Sequence, residues 1–132
     1  MTSPIRHLVV TAAVIERAGA FLLTRRLDGT HLAGHWEFPG GKQQDGETLE
    51  ACLAREIREE LDAGIDVGAE ILATTHDYPD RRIELHFFAC ALTSEPRAVM
   101  GQEMRWVPRV NLADLQLPPA DDELVKRLSG IA

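Results

Sequence analysis

Cysteine is scarce in this 132-residue chain, which holds only Cys52 and Cys90, far apart and without CxxC spacing. That pattern excludes a disulfide framework or a zinc knuckle, and both thiols are expected to be reduced and buried. Long apolar runs are missing too: nothing reaches the roughly 18 residues that a membrane-spanning helix needs. Arg6 followed by LVVTAAVI resembles the charged start and apolar core of a signal peptide, yet the run is short, ends at Glu16 and consists of strand formers. A core strand and a cytoplasmic protein are the expectation. Positive charge is in short supply, with 14 Lys and Arg against 21 Asp and Glu and a net charge of −7. A broad basic surface for long nucleic acid is therefore not expected. A small phosphorylated ligand is still compatible, because a metal ion and a few local cations can reverse the field at one site. Repeats, low-complexity stretches and linkers are absent, and no serine or cysteine sits in a nucleophile motif. His31 and His35 have i, i+4 spacing but no third ligand in their loop, so zinc is not expected there. His76 and His86 read as ordinary strand or strand-end residues.

What is present is the balance of a folded soluble chain, with 45% hydrophobic and 27% charged residues. The length suits one domain with a core of its own. Val, Ile and Thr concentrate in His7 to Ile15, and a second apolar run, Ala20 to Leu27, follows the turn residues Ala18 and Gly19, which predicts a hairpin. A polar loop from Leu27 to His35 precedes Trp36 to Phe38, a short apolar piece stopped by Pro39, Gly40 and Gly41. Thr48 caps a predicted helix that runs to about Leu61, with Glu50 in its first turn. Strands are predicted at Ile71 to Thr75, Arg82 to Leu92 and Met104 to Val107, with Tyr78, Pro79 and Asp80 as a turn. Asn111 to Leu115 reads as one helical turn capped by Asn111, and Pro119 to Leu128 as a closing helix. The class is mixed α/β, a curved sheet with helices on its faces.

The segment REIREEL, Arg55 to Leu61, raises the chemical question. At about 100° per residue, Leu49, Leu53, Ile57 and Leu61 form one stripe, and Glu60 falls inside it. Glu56 lies at its edge and Glu59 just beyond. A buried carboxylate either takes a proton or finds a cation, and several within i, i+3 and i+4 also repel one another. A hard divalent cation such as Mg²⁺ suits such oxygen ligands. The competing reading is a solvated charge run in which Arg55 and Arg58 neutralise the glutamates locally. Upstream, EFPGGKQQDGE supplies Gly40 and Gly41 for close backbone approach, the cation Lys42 and the carboxylate Glu47.

Gly41, Glu47 and Arg55-Glu56-Ile57-Arg58-Glu59-Glu60, at these spacings, resemble the Nudix box. The match departs where the family has Gly and an aliphatic residue: this chain has Asp62-Ala63, with Gly64-Ile65 two residues late, which reads as a two-residue lengthening of the helix exit. LLTRR (Leu22 to Arg26), WEFPGGK (Trp36 to Lys42), YPDR (Tyr78 to Arg81), LHFF (Leu85 to Phe88), RWV (Arg105 to Val107) and LPPAD (Leu117 to Asp121) extend the resemblance to the MutT branch over nearly the whole chain. The resemblance implies an α/β/α sandwich around a mixed curved β-sheet, dependence on Mg²⁺ or Mn²⁺, and cleavage of a nucleoside triphosphate to monophosphate and pyrophosphate.

Residue by residue, the resemblance implies metal binding by Glu56, Glu59 and Glu60 with the Gly40 carbonyl. Glu56 or a neighbour would take a proton from the attacking water. Arg55 would orient rather than react, pairing with Glu47 and Glu59. Arg26 and Arg81 match positions near the nucleotide, Lys42 adds a cation, and Phe38 and Tyr78 match positions lining the base pocket. A further family carboxylate falls at Met100, which cannot bind a hard metal, and Glu103 is the expected substitute. At the position after PPA the bacterial pattern has Asn, whereas this chain has Asp121 followed by Asp122. A protonated Asp121 could serve the O6 and N7–H of an 8-oxo guanine, and an ionised one could accept from the exocyclic amine of cytosine. The favoured substrate is 8-oxo-dGTP, in nucleotide-pool sanitation. The alternatives are CTP or 5-methyl-dCTP, and a non-catalytic nucleotide-binding sensor. A monomer is the expectation.

Overall fold

The computed structural model describes residues 5–30 and 32–129, so His31, and with it the His31/His35 pair, lies outside the described residues. Strand β1 spans Arg6–Arg17 and β2 spans Ala20–Arg25. Ala18 and Gly19 join them with φ of 51° and 79°, the doubly left-handed geometry that matches strand twist in a two-residue hairpin. β3 is Trp36–Glu37, β4 Gly40–Lys42, α1 Leu49–Leu61, β5 Ile65–Tyr78, β6 Arg81–Leu92 and β7 Met104–Pro108. A 3₁₀ segment, Arg109–Asp114, a second 3₁₀ turn, Pro119–Asp121, and helix α2, Asp122–Leu128, close the described chain.

The sheet order is β3-β2-β1-β6-β5, with β4 added to β1 and β7 to β2. Its centre is parallel: β1 runs beside β6 from the Arg6/Arg81 pair to the Ile15/Cys90 pair. The other pairings are antiparallel, so the sheet is mixed. On the opposite edge β1 pairs first with β4, at Val10 to Ala12, and then with β2, at Glu16 and Arg17. That fork opens the sheet beside β4, where the glycine loop enters.

Strand alternation sends neighbouring residues to two cores. Ala13, Ile15, Leu22 and Phe88 pack against Leu53, Ile57 and Leu61 of α1. Ala12, Val14, Phe21, Leu23, Leu85 and Phe87 pack on the other face, under Leu112, Ala120 and Leu124. The result is an α/β/α sandwich. Among the described residues no helix is long and apolar enough to cross a membrane. Both cysteines are free thiols; Cys52 is buried, whereas Cys90 is only half-buried, which corrects the expectation for it.

Several boundaries differ from the sequence reading for identifiable reasons. β5 begins at Ile65, six residues before the predicted Ile71, because two register shifts around Glu70 break its alternation. Gly40 to Lys42, read as a loop, forms a strand, because Gly40 lies directly against β1: a Cβ there would sit 1.9 Å from the Thr11 carbonyl oxygen. Asn111 is not a cap; Pro108 holds that position and Asn111 bonds Asp114 from within the turn at 3.3 Å. The closing helix starts at Asp122 after a 3₁₀ turn over Pro119–Asp121.

Candidate active site

Helix α1 sets the position of the first group of side chains. Its first turn is fixed by Thr48, whose side chain accepts from the Ala51 N–H at 3.0 Å. Its end is fixed by Asp62, which adopts the left-handed conformation (φ 49°, ψ 40°) and donates its N–H to the Arg58 carbonyl. The predicted two-residue lengthening is therefore corrected: the helix stops at Leu61, and Asp62 takes the left-handed role that glycine usually fills. Between these ends Cys52, Leu53, Ile57 and Leu61 are buried, Glu56 and Glu60 are half-buried at the flank, and Arg58 and Glu59 face solvent.

Arg55 ties the flank together. Its Nε and Nη2 donate to the two oxygens of Glu47 at 2.6 and 3.0 Å, and Nη1 donates to Glu56 at 2.9 Å and Glu59 at 3.1 Å. Nη2 also donates to the Lys42 carbonyl at 3.0 Å, which joins helix, glycine strand and loop through one guanidinium. The charge-assisted bonds from Arg55 hold the Glu47 carboxyl down at about 2, and the same bonds push the guanidinium further up. Gly41 lets this array approach β4: a Cβ there would lie 2.2 Å from the Glu56 carboxyl carbon.

A cavity of about 830 Å³ opens over this flank. At one end its wall is Gly40, Gly41, Glu56 and Glu60; at the other it is Phe38, Phe87, Ala120 and Asp121; Arg26, Lys42 and Arg81 contribute cations and Glu37 a further carboxylate. Phe38 is a core residue as well as a wall residue, edge-on to Phe87 with ring centroids 6.1 Å apart. Burial, then the neighbouring charges of Glu37 and Glu56, push the Glu60 carboxyl up to about 8. Burial, then Glu37 and Asp122, push Asp121 up to about 7. Asp121 is 4% exposed, so the sequence's open question about its environment is answered by the fold of the 3₁₀ turn that carries it.

The oxygen-rich end fits a hard cation. Among the described residues no three His, Cys, Asp or Glu side chains form a ready-made cage. Mg²⁺ does not require one, since it commonly takes one or two carboxylates, keeps several waters and completes its shell with substrate phosphates. Two crowded carboxylates, one of them raised to about 8, beside glycine backbone are a donor set that a divalent cation would relieve.

Besides Arg55 and Glu47, which brace the flank from behind, three expected site residues lie off this wall. Glu59 is exposed and paired to Arg55. Tyr78 packs against His76 with the rings tilted by 59° and their centroids 4.7 Å apart, although Asp121, Arg26 and Arg81 act electrostatically on its hydroxyl. Glu103, expected as a metal ligand, lies apart from the cavity wall and is paired with Arg25 at 3.0 Å and 3.9 Å from Arg105, two guanidiniums set over the Trp36 ring. From its loop Met100 and Gln102 face Glu60 instead, and the Gln102 amide donates to the Glu60 carbonyl at 3.1 Å. Gln102 and Glu37 were missed in the sequence. Glu37 was detectable, since strand alternation sets it opposite to the buried Trp36 and Phe38.

The NUDIX domain profile matches residues 10–127. The 8-oxo-dGTP diphosphatase of Haemophilus influenzae is 38% identical over 90% of this chain and 89% of its own length. The CTP pyrophosphohydrolase of Escherichia coli is 32% identical over 96% of this chain and 94% of its own. The solution structure of the E. coli ORF135 protein superposes with a TM-score of 0.83 at 31% identity, covering 96% of this chain and 91% of that one. With the braced glutamate flank of α1 carried on this sandwich, the chain belongs to the Nudix family as a MutT-type hydrolase.

Proposed function

We propose that this chain is a divalent-metal-dependent nucleoside triphosphate pyrophosphohydrolase, with 8-oxo-dGTP its favoured substrate, serving to clear oxidised nucleotides. Glu56 and Glu60, with the Gly40 carbonyl and one face of Glu59, would hold Mg²⁺ or Mn²⁺. When bound, the metal offsets phosphate charge and lowers the pKa of the attacking water. Glu56, on the cavity wall and tied to Arg55, is the carboxylate we assign to take the water's proton. Arg55 and Glu47 fix its geometry, so their part is orientation. Arg26, Lys42 and Arg81 are the cations on the wall that would bind the nucleotide's phosphates.

The observation that carries the choice of base is the burial of Asp121, with its carboxyl raised to about 7. A neutral carboxyl offers one O–H donor and one acceptor, the complement of a guanine O6 and the N7–H that oxidation creates. Phe38 and Phe87 supply the apolar floor for the ring. The second reading, CTP or 5-methyl-dCTP, is favoured by the same residue in its ionised form, which accepts from an exocyclic amine. A panel of canonical, oxidised and methylated triphosphates, ranked by kcat/KM with Mg²⁺ or Mn²⁺, decides between them. First rank for 8-oxo-dGTP is expected; first rank for a cytidine nucleotide installs the second reading. Absence of pyrophosphate release from every member would leave only a binding or sensor role.

A further inference from the structure

Glu56 and Glu60 belong to the metal end of the cavity and Asp121 to the base end, which leaves Glu37 on the wall without a part in the chemistry. Its placement is specific. It is the last residue of β3, opposite Thr24 of β2, and its Oε2 accepts from Nη1 of Arg26 at 2.8 Å. Both side chains are only 29% exposed. The backbone of Arg26 is pinned as well: its N–H donates to the His35 carbonyl at 2.8 Å and its carbonyl accepts from the Gly34 N–H at 3.1 Å. The charge of Glu37 is felt at both ends of the cavity, since after burial it is the next cause that raises Glu60 and Asp121. Burial raises Glu37 itself, and Arg26 opposes that rise.

A half-buried ion pair is a poor source of stability, because desolvation offsets much of the attraction. Its value at a cavity wall is geometric: an arginine held in one pose loses less rotamer freedom when a ligand arrives. We propose that Glu37 is a positioning residue, which clamps Arg26 between the metal helix and the base end so that its guanidinium meets the nucleoside monophosphate part of the substrate in one orientation. This rests on the nucleotide reading above. It assigns Glu37 to ground-state binding, and so to KM, with no part in the chemical step.

The test uses whichever nucleoside triphosphate the wild-type chain turns over fastest, together with binding of the matching monophosphate in EDTA, which does not depend on a loaded metal site. Glu37→Ala is expected to raise KM and the monophosphate Kd roughly tenfold, the scale of one charge-assisted bond, with kcat within about twofold. Glu37→Gln, which keeps an oxygen acceptor for Arg26, should recover most of the loss. Arg26→Ala should match Glu37→Ala, and the double variant should be no weaker than Arg26→Ala alone. Should Glu37→Ala fail to fold, Arg26→Lys, which keeps the charge without the planar fork, should raise KM in the same way. Unchanged KM and Kd in a folded Glu37→Ala or Arg26→Lys, additive losses in the double variant, or a fall in kcat at constant KM would overturn the proposal. Failure of the nucleotide reading is distinct, since it appears as absent turnover in the wild type.

Discussion

Replacing Asp121 by Asn keeps the size of the side chain and removes its titration, which makes it the sharpest test of the base end. The folded carboxyl titrates near 7 against an ordinary value of 3.8, because it is buried and faces Glu37 and Asp122. A displacement of that size corresponds to ~4 kcal/mol, and 2 to 4 kcal/mol is the realistic range for such a site. The sign follows from proton counting. Between pH 3.8 and about 7 the folded state binds more protons than the unfolded chain, so the wild type loses stability as pH rises through that window. The loss is nil below the unfolded value and complete above the folded one. Asn carries no such penalty, so its advantage over Asp should grow from near zero at pH 4 to ~2–4 kcal/mol at pH 8. At roughly 3–5 °C per kcal/mol for a chain of this size, the gain in Tm is about 10 °C. Thermal unfolding of both proteins in EDTA, from pH 4 to pH 8.5, reads it directly. Glu37 and Glu60 titrate in both and largely cancel in the difference. Parallel pH–Tm curves for the two proteins would refute the buried, raised carboxyl and with it the donor role assigned to Asp121.

Arg55→Lys keeps the charge but cannot fork to Glu47 while also reaching Glu56 and Glu59, so kcat should fall on the order of 100-fold with the fold intact; a fall under threefold would remove the brace from the mechanism. Gly41→Ala should cost a similar factor in kcat, because its Cβ would meet the Glu56 carboxyl at 2.2 Å, and a fully active variant would show that Glu56 can move without consequence. Glu103→Gln should leave kcat and divalent-metal affinity unchanged, since its carboxylate is spent on Arg25 on the Trp36 side; weaker Mn²⁺ binding by isothermal titration would restore it as a ligand. Thr48→Ala should lower stability by about 1 kcal/mol in chemical denaturation, the usual worth of an N-cap, with KM unchanged.

The glutamate flank of α1 was legible because its signal is local. On α1, the 3.6-residue period alone set Glu60 among Leu53, Ile57 and Leu61, and the resemblance to the Nudix box implied the pairing of Glu47 with Arg55. The central strand β6 was legible for the same reason, as a run that turns wholly apolar where it is covered on both faces. What escaped depends on contacts that local pattern does not encode. The first half of β5 carries Asp66 and Gly68, and its bulges around Glu70 aim that carboxylate at His86 Nδ1, 2.5 Å away, so its alternation reads as loop. Gly40 to Lys42 reads as loop because its glycines answer to the backbone of β1, thirty residues upstream. Glu103 precedes β7, where no periodic pattern announces that Arg25 of β2 stands beside it.

The two ends of the cavity therefore answer to different levels of sequence information. On the proposed reading, the chemistry is concentrated on one helix and the segment before it, where Arg55 bonds Glu47, Glu56, Glu59 and the Lys42 carbonyl, so a short local motif carries it. On the proposed reading, selectivity is assembled from β3, the loop after β2 and the 3₁₀ turn at Pro119–Asp121, pieces that meet only in the folded chain. A carboxylate at position 121 has no fixed chemical meaning until burial and Glu37 set its protonation. A change of base preference can thus come from positions such as Glu37 or Asp122 that need not touch the base. Relatives named for 8-oxo-dGTP and for CTP at similar identity to this chain are what that division of labour would produce.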